Sequence, residues 1–266
     1  KIVNFLDTVA KEKLEPFINN SYEALAKEMN AYDQKMVMAR EIIADKAIWT
    51  AKKRYILNVY DSEGVRYSEP KLKILGIEAV KSSTPAPCRE KIKQALDIIM
   101  NGDEKMLNTF IQEFREEFMT LPPEEIAYPR SVNGVEKYTE KVTNTLDLMS
   151  GEVVEYGFFK KRAPIHVKGA ILYNHLVSKN KLSHKFPYIQ EGDKIRFIHL
   201  KEPNVYQSSS FSFITKMPKE LDLHDKICYN TQFEKSFIEP LKFITEKINW
   251  SVDNSFGKQG TLEGFF

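Results

Sequence analysis

The chain has 266 residues, 42% apolar and 12% aromatic, enough to bury a sizeable core in one domain or two and too apolar for a disordered polypeptide. Its 39 basic and 37 acidic residues leave a formal net charge of +2, which excludes a global field that draws in nucleic acid; any such function must rest on local clusters of Lys and Arg. No run approaches the roughly 18 apolar residues of a membrane span, and there is no signal-peptide core. With Cys88 and Cys228 expected as free thiols, the composition fits a soluble protein of a reducing, cytoplasmic compartment.

In chain order, residues 5–29 place Phe5, Leu6, Val9, Leu14, Phe17, Ile18, Tyr22, Leu25 and Met29 at helical spacing and predict an amphipathic helix. Residues 36–44 read as a strand, and 48–60 and 65–75 as a hairpin turning at Ser62-Glu63-Gly64. One helix and three strands form an α+β unit too thin to close a core unless further sheet is supplied from elsewhere. Thr84 is the expected N-cap, and Pro85 the first helical residue, of a helix reaching residue 100. Asn101-Gly102-Asp103 separates it from a helix over 104–120, which Leu121-Pro122-Pro123 stops. Residues 124–160 are turn-rich. A helical pattern returns over 164–176, strand-like pieces follow at 186–200 and 209–216, and a last helix over 231–248 should kink or split at Pro240.

Four basic clusters and the tail bear on function. Lys52-Lys53-Arg54-Tyr55 sets three cations beside an aromatic at a strand start, where alternation gives Lys53 and Tyr55 one face and Lys52 and Arg54 the other. Lys81-Ser82-Ser83-Thr84 brings a lysine and hydroxyls to a helix N-terminus, whose free N–H groups favour phosphate. The polar loop from Arg130 carries Ser131, Asn133, Lys137 and Tyr138, and a further basic run presents Lys161, Arg162, His166 and Lys168 around a helix start at Pro164. By themselves these residues equally describe a solvated strand end, a plain cap, a solvated loop and a histidine bonded within the fold. Phosphate contacts carry no base information, so binding through them would be insensitive to sequence and sensitive to salt. In the tail, Gln259-Gly260-Thr261-Leu262-Glu263-Gly264-Phe265-Phe266, a tight helical turn puts Leu262, Phe265 and Phe266 on one side and leaves Gln259 to bond a backbone edge. The alternative is a tail folded back on its own core.

The Lys52-Lys53-Arg54-Tyr55 run, the hairpin from Tyr60 to Tyr67 and the Glu69-Pro70-Lys71-Leu72-Lys73-Ile74-Leu75-Gly76 segment resemble the end of the palm in family B DNA polymerases, most closely the replicative enzymes of T-even type bacteriophages. The resemblance implies that Lys52, Lys53, Arg54 and Tyr55 meet the minor groove and phosphates of the primer terminus. It places Lys81, Ser82, Ser83 and Thr84 at the root of the thumb near the primer strand, and Ser131, Asn133, Lys137 and Tyr138 on the duplex backbone. Lys161, Arg162, His166 and Lys168 follow a Lys-x-Pro-x-His-x-x-Gly pattern, imperfect here because the spacing is Arg162-Ala163-Pro164, and are expected at primer or template phosphates. Gln259, Leu262, Phe265 and Phe266 match Gln-x-x-Leu-x-x-Phe-Phe, which resembles sliding-clamp-binding peptides.

The family's Asp-x-x-Ser-Leu-Tyr-Pro and Asp-Thr-Asp motifs are missing. Asp7-Thr8-Val9 has no second aspartate, Asp61-Ser62-Glu63 sits in a predicted turn, and no exonuclease element or fingers helix is recognisable. The expectation is therefore an α+β chain with a partial palm over 1–79, a mainly helical thumb over 80–250, and a tether with clamp-binding peptide over 251–266. Such a piece would grip primer–template duplex and tether a polymerase to its sliding clamp. It would need the remaining exonuclease, fingers and catalytic palm, with their Mg2+, for nucleotidyl transfer, and would be inactive alone. A free-standing DNA- and clamp-binding accessory protein is the alternative, and a structural or assembly protein a third class. The glycines form no phosphate cradle, and the histidines and cysteines show no zinc spacing.

Overall fold

Residues 2–28 form one long helix broken by a change of register. Helix α1 (Ile2–Val9) runs through a π-helical turn at Ala10–Leu14 into α2 (Glu15–Glu28). The π turn ends two residues before Pro16, where a wider ring accommodates the missing N–H and the carbonyl that the proline ring would otherwise strike. This computed structural model describes residues 1–146 and 153–252, and the chain divides into two units, Lys1–Ile77 and Glu78–Phe266. Among the described residues no helix is long and apolar enough to cross a membrane.

In the first unit the helix is followed by a three-stranded antiparallel sheet of β1 (Ile42–Ala51), β2 (Arg54–Ser62) and β3 (Val65–Leu75), in that order. Residues 36–41 are not the expected strand. The Asn19 side chain bonds both Met38 N (2.7 Å) and Met38 O (3.1 Å), and Glu15 accepts Arg40 N at 2.6 Å, so helix side chains satisfy backbone groups that a strand neighbour would otherwise pair. The predicted strand over 48–60 is also two strands, joined by a turn at Lys52 and Lys53, with Lys53 at φ +60°. The turn at Glu63 and Gly64 stands as expected, both residues having positive φ. Beneath it Asp61, 1% exposed, takes Arg40 at 2.7 Å, Arg66 at 3.0 Å and the Gly64 amide at 3.0 Å. Burial alone would raise this carboxyl; the two guanidinium groups and the amide outweigh it and hold it below its ordinary range.

The second unit opens with α3 (Ala86–Asn101) and α4 (Glu104–Phe118). Asp103 caps α4 through Met106 N at 2.8 Å, as its position between the helices predicts. Thr84 is not the cap of α3. Pro85 holds the N-cap position at ψ 141° and the helix starts at Ala86, with Pro87 in its first turn, where a missing N–H leaves no helical bond unmade. A short α5 (Pro123–Ile126) leads to β4 (Tyr128–Ser131), α6 (Val135–Tyr138) and the β5 (Thr143–Leu146) and β6 (Val153–Tyr156) pair. Then come α7 (Ile165–Lys179), β7 (Lys194–His199) and β8 (Ser210–Phe213). The chain ends its described part with α8 (Tyr229–Phe233), a second π turn at Glu234–Ile238 and α9 (Glu239–Thr245). That π turn also ends two residues before a proline, so Pro240 neither splits nor stops the helix; its clash is absorbed one turn upstream.

This unit is mainly helical, as expected, and carries two small antiparallel sheets as well among the described residues. Strands β4, β7 and β8 form an antiparallel sheet in the order β4-β7-β8, and Pro129 is tolerated because β4 is an edge. Helix α7 packs on the sheet through a core that includes Val167, Ala170, Leu172, Phe211 and Phe213. A separate aromatic cluster joins α4 to the last helix, with Phe114 centred 4.7 Å from Phe237 and Phe118 5.2 Å from Phe233. The two cores fix the relative positions of α3, β4, α7 and the last helix, which together frame a cleft.

Candidate nucleic-acid interface

In the second unit, a cleft of about 410 Å3 lies between the turn before α3, strands β4 and β7, the start of α7 and the last helix. Its floor is aromatic. Tyr128 stacks on Phe197 at 5.0 Å and 21°, His199 stands edge-on to both, and the His166 ring is 6.1 Å from Phe197. Three cations rim it: Lys81, Arg130 and Lys235. Lys81 pairs with Glu78 at 2.8 Å and Lys235 with Glu239 at 3.6 Å, whereas exposed Arg130 meets the Ser83 and Pro129 carbonyls, each at 3.4 Å.

Burial sets the protonation of the floor. It presses the His199 imidazole down to about 4, with the nearby Lys235 charge acting in the same direction, and lowers His166, helped by Arg130. It raises the Tyr128 phenol, which the Cys88 thiol and Glu239 push further, and lifts Cys88 to about 11. At neutral pH the histidines of the floor are uncharged, and the charge sits on the rim, where Lys81, Arg130 and Lys235 face the carboxylates of Glu78 and Glu239 and Arg130 is the cation without a carboxylate beside it in the cleft lining.

A second basic patch continues from the first. Lys160 N donates to Tyr138 O at 2.8 Å and Lys160 Nζ to Lys137 O at 2.8 Å, so the Lys137-Tyr138 pair and the Lys160-Lys161-Arg162 turn are latched together. The Glu191 carboxylate accepts Gly134 N at 2.6 Å and fixes the loop, where Gly134 at φ +88° lets the Tyr138 ring lie within 3.0 Å of where a Cβ would sit. Ser131, Asn133, Lys137, Lys161 and Arg162 are exposed, and Lys168 is half-buried with its ammonium 5.4 Å from the Phe159 ring centre. The structure thus brings two of the predicted clusters together here, while Lys81 of a third lines the cleft. Ser82 is exposed, while Thr84 is buried and, with Ser83, lines the cleft.

In the first unit Lys52 and Lys53 project from the β1–β2 turn and are exposed; Arg54 and Tyr55 start β2 and are half-buried. Because the lysines occupy a turn, the predicted alternation of Lys52 with Arg54 and Lys53 with Tyr55 does not hold. Gly76, at φ +70°, passes so close that a Cβ would lie 2.4 Å from Lys53 O, which pins the turn to the end of β3. Gln259, Leu262, Phe265 and Phe266 lie outside the described residues.

Tyr128, Arg130, His199 and Lys235 line the cleft without having been singled out by sequence reasoning. Only Arg130 carried a signal, as the first residue of the basic loop.

No family model matches the chain. It is similar along its whole length to the DNA-directed DNA polymerase of Enterobacteria phage T4, 31% identical over 277 residues that make up 28% of that relative. It is 34% identical over 256 residues to the DNA-directed DNA polymerase of Escherichia phage RB69, covering 91% of this chain and 26% of that relative. The chain spans little more than a quarter of the length of these curated relatives.

Proposed function

We propose, for a chain related over its whole length to the DNA-directed DNA polymerases of T-even phages, that it is the C-terminal, duplex-gripping part of such an enzyme. The observation that carries this reading is the convergence, within one unit, of Lys81, Arg130 and Lys235 on one cleft, with the His166 ring 6.1 Å from Phe197 of its floor. A near-neutral chain that gathers cations from sequence-distant segments is built to meet a phosphate backbone rather than to act as a general polycation. In this reading residues 1–79 close the palm, 80–250 form the thumb, and the tail from 251 carries Gln259, Leu262, Phe265 and Phe266 to a sliding clamp. Lys52 and Lys53 reach the primer terminus from a tight turn, a more projecting position than a strand would give them.

Phosphoryl transfer needs carboxylates that hold magnesium and activate the primer hydroxyl. The residues here do not fit that role. Among the described residues no group of three His, Cys, Asp or Glu could hold a metal ion, and Asp7 and Asp61 are engaged by Arg40 and Arg66. The chain contributes grip and orientation, and the catalytic carboxylates belong to the remaining polymerase portion. Two measurements test this. Labelled primer–template duplex should bind in preference to the same strand unpaired, and the chain alone should extend no primer. Primer extension by the chain alone sinks the division of labour, and equal affinity for both DNAs sinks the duplex grip.

A further inference from the structure

The first unit has almost no core of its own. Across Lys1–Ile77 the buried apolar side chains are Ile43, Ile56, Val59 and Ile77, and neither α1 nor α2 buries a single residue. One side of the helix, through Val3, Ala10, Ile18 and Tyr22, is half-buried. Another is equally apolar and open to solvent: Ile2 is 75% exposed, Phe5 67%, Leu6 44%, Leu14 54%, Phe17 70% and Leu25 42%. A helix apolar on more than one side is a buried helix, and a contiguous exposed stripe of large aliphatic and aromatic groups marks an interface. Packing rather than intrinsic propensity holds most helices in water, so a helix with no buried residue lacks its main support.

We infer that this open side of α1 and α2 is the docking surface for the remainder of a T-even-type polymerase, a folded polypeptide that presents an apolar face. The inference rests on the polymerase reading above. The relatives identify the occupant. The T4 polymerase matches the whole of this chain, helix included, within 28% of its own length, so in that protein the counterpart of the stripe sits in a much longer polypeptide able to cover it. A second copy of this chain would bring another coreless unit and supply no additional kind of sheet. The ion pairs Arg40–Asp7 at 2.8 Å and Arg40–Asp61 at 2.7 Å tie the helix to the chain beyond it, so the stripe is presented on a held element.

The test uses the full chain and, as probe, the phage T4 relative lacking the stretch that this chain matches, both mixed in trans and joined as a single chimeric polypeptide. Sedimentation velocity should show the chain alone as a monomer and the mixture as a one-to-one complex. Hydrogen exchange over residues 2–28 should slow at least tenfold in the complex or the chimera. Phe5→Asp with Phe17→Asp should abolish both effects and leave duplex binding unchanged, since neither residue belongs to the DNA-facing clusters. A concentration-dependent dimer of the chain alone that protects residues 2–28 would overturn the inference in favour of a second copy. Unchanged exchange in both mixture and chimera would overturn it outright. Docking without any duplex binding would instead count against the DNA grip.

Discussion

Replacing Gly169 by alanine sets two effects of opposite sign against each other. In an unconstrained helix interior the change stabilises by about 1 kcal/mol, the difference in helix propensity. Gly169 lies where α7 crosses β8, and a Cβ there would sit 2.5 Å from Ser212 Oγ, 2.8 Å from Phe211 C and 2.8 Å from Ser212 N. Two of those atoms are backbone and cannot rotate away, so α7 must lift from the sheet. Lifting breaks the bonds from Ser210 Oγ to Ile165 O at 2.7 Å and from Ser212 Oγ to His166 O at 2.8 Å. At about 1 kcal/mol for each bond and roughly 1–3 kcal/mol for overpacking, less the propensity gain, the net loss is roughly 2–4 kcal/mol. Equilibrium urea unfolding followed by far-ultraviolet circular dichroism measures it. A variant as stable as the parent, or more stable, would refute the α7–β8 contact. Duplex affinity should fall with stability, because His166 and Lys168 ride on the displaced end of α7.

Arg130→Ala should weaken duplex binding uniformly across sequences and reduce the slope of log affinity against log salt by about one, as loss of one phosphate contact requires; an unchanged slope would remove Arg130 from the interface. Gly76→Ala should destabilise the β1–β2–β3 sheet by about 2 kcal/mol or more, from left-handed strain plus the clash with Lys53 O, and speed amide exchange in β2 and β3. The unfolded chain protonates a histidine near 6.5 while His199 in the fold resists to about 4, so between those values the unfolded state binds more protons and stability falls as pH drops. The loss is on the order of 3 kcal/mol, His166 adds to it in the same direction, and His199→Gln should flatten the pH dependence of the urea midpoint.

What the sequence made legible follows from how local each signal is. Helices α3, α4 and α7 were readable because their apolar spacing and flanking Asp103 or Pro164 act within a turn or two. The turn at Lys52 and Lys53 was not, since it has no glycine, asparagine or proline, and its left-handed residue is held by Gly76 from another strand. Residues 36–41 looked like a strand by composition, but Asn19 and Glu15 claim their backbone groups. Strand β4 is four residues long with a proline inside, a pattern that only its partner β7 can stabilise. The basic clusters were visible as runs, and their roles came from the family resemblance. The cleft was invisible, because Arg130, His199 and Lys235 come from segments that only the two cores bring together. The exposed helix face was half visible: the amphipathic stripe could be read, but not that it would remain uncovered.

The most direct test of the central claim is fluorescence anisotropy of a labelled primer–template duplex titrated with the full chain across a salt series. The account predicts binding that favours duplex over single strand, a log–log salt slope of several phosphates, and weakening by Lys81→Ala combined with Arg130→Ala and by Lys52→Ala combined with Lys53→Ala. Salt-independent binding, or no binding even at low salt, would contradict it.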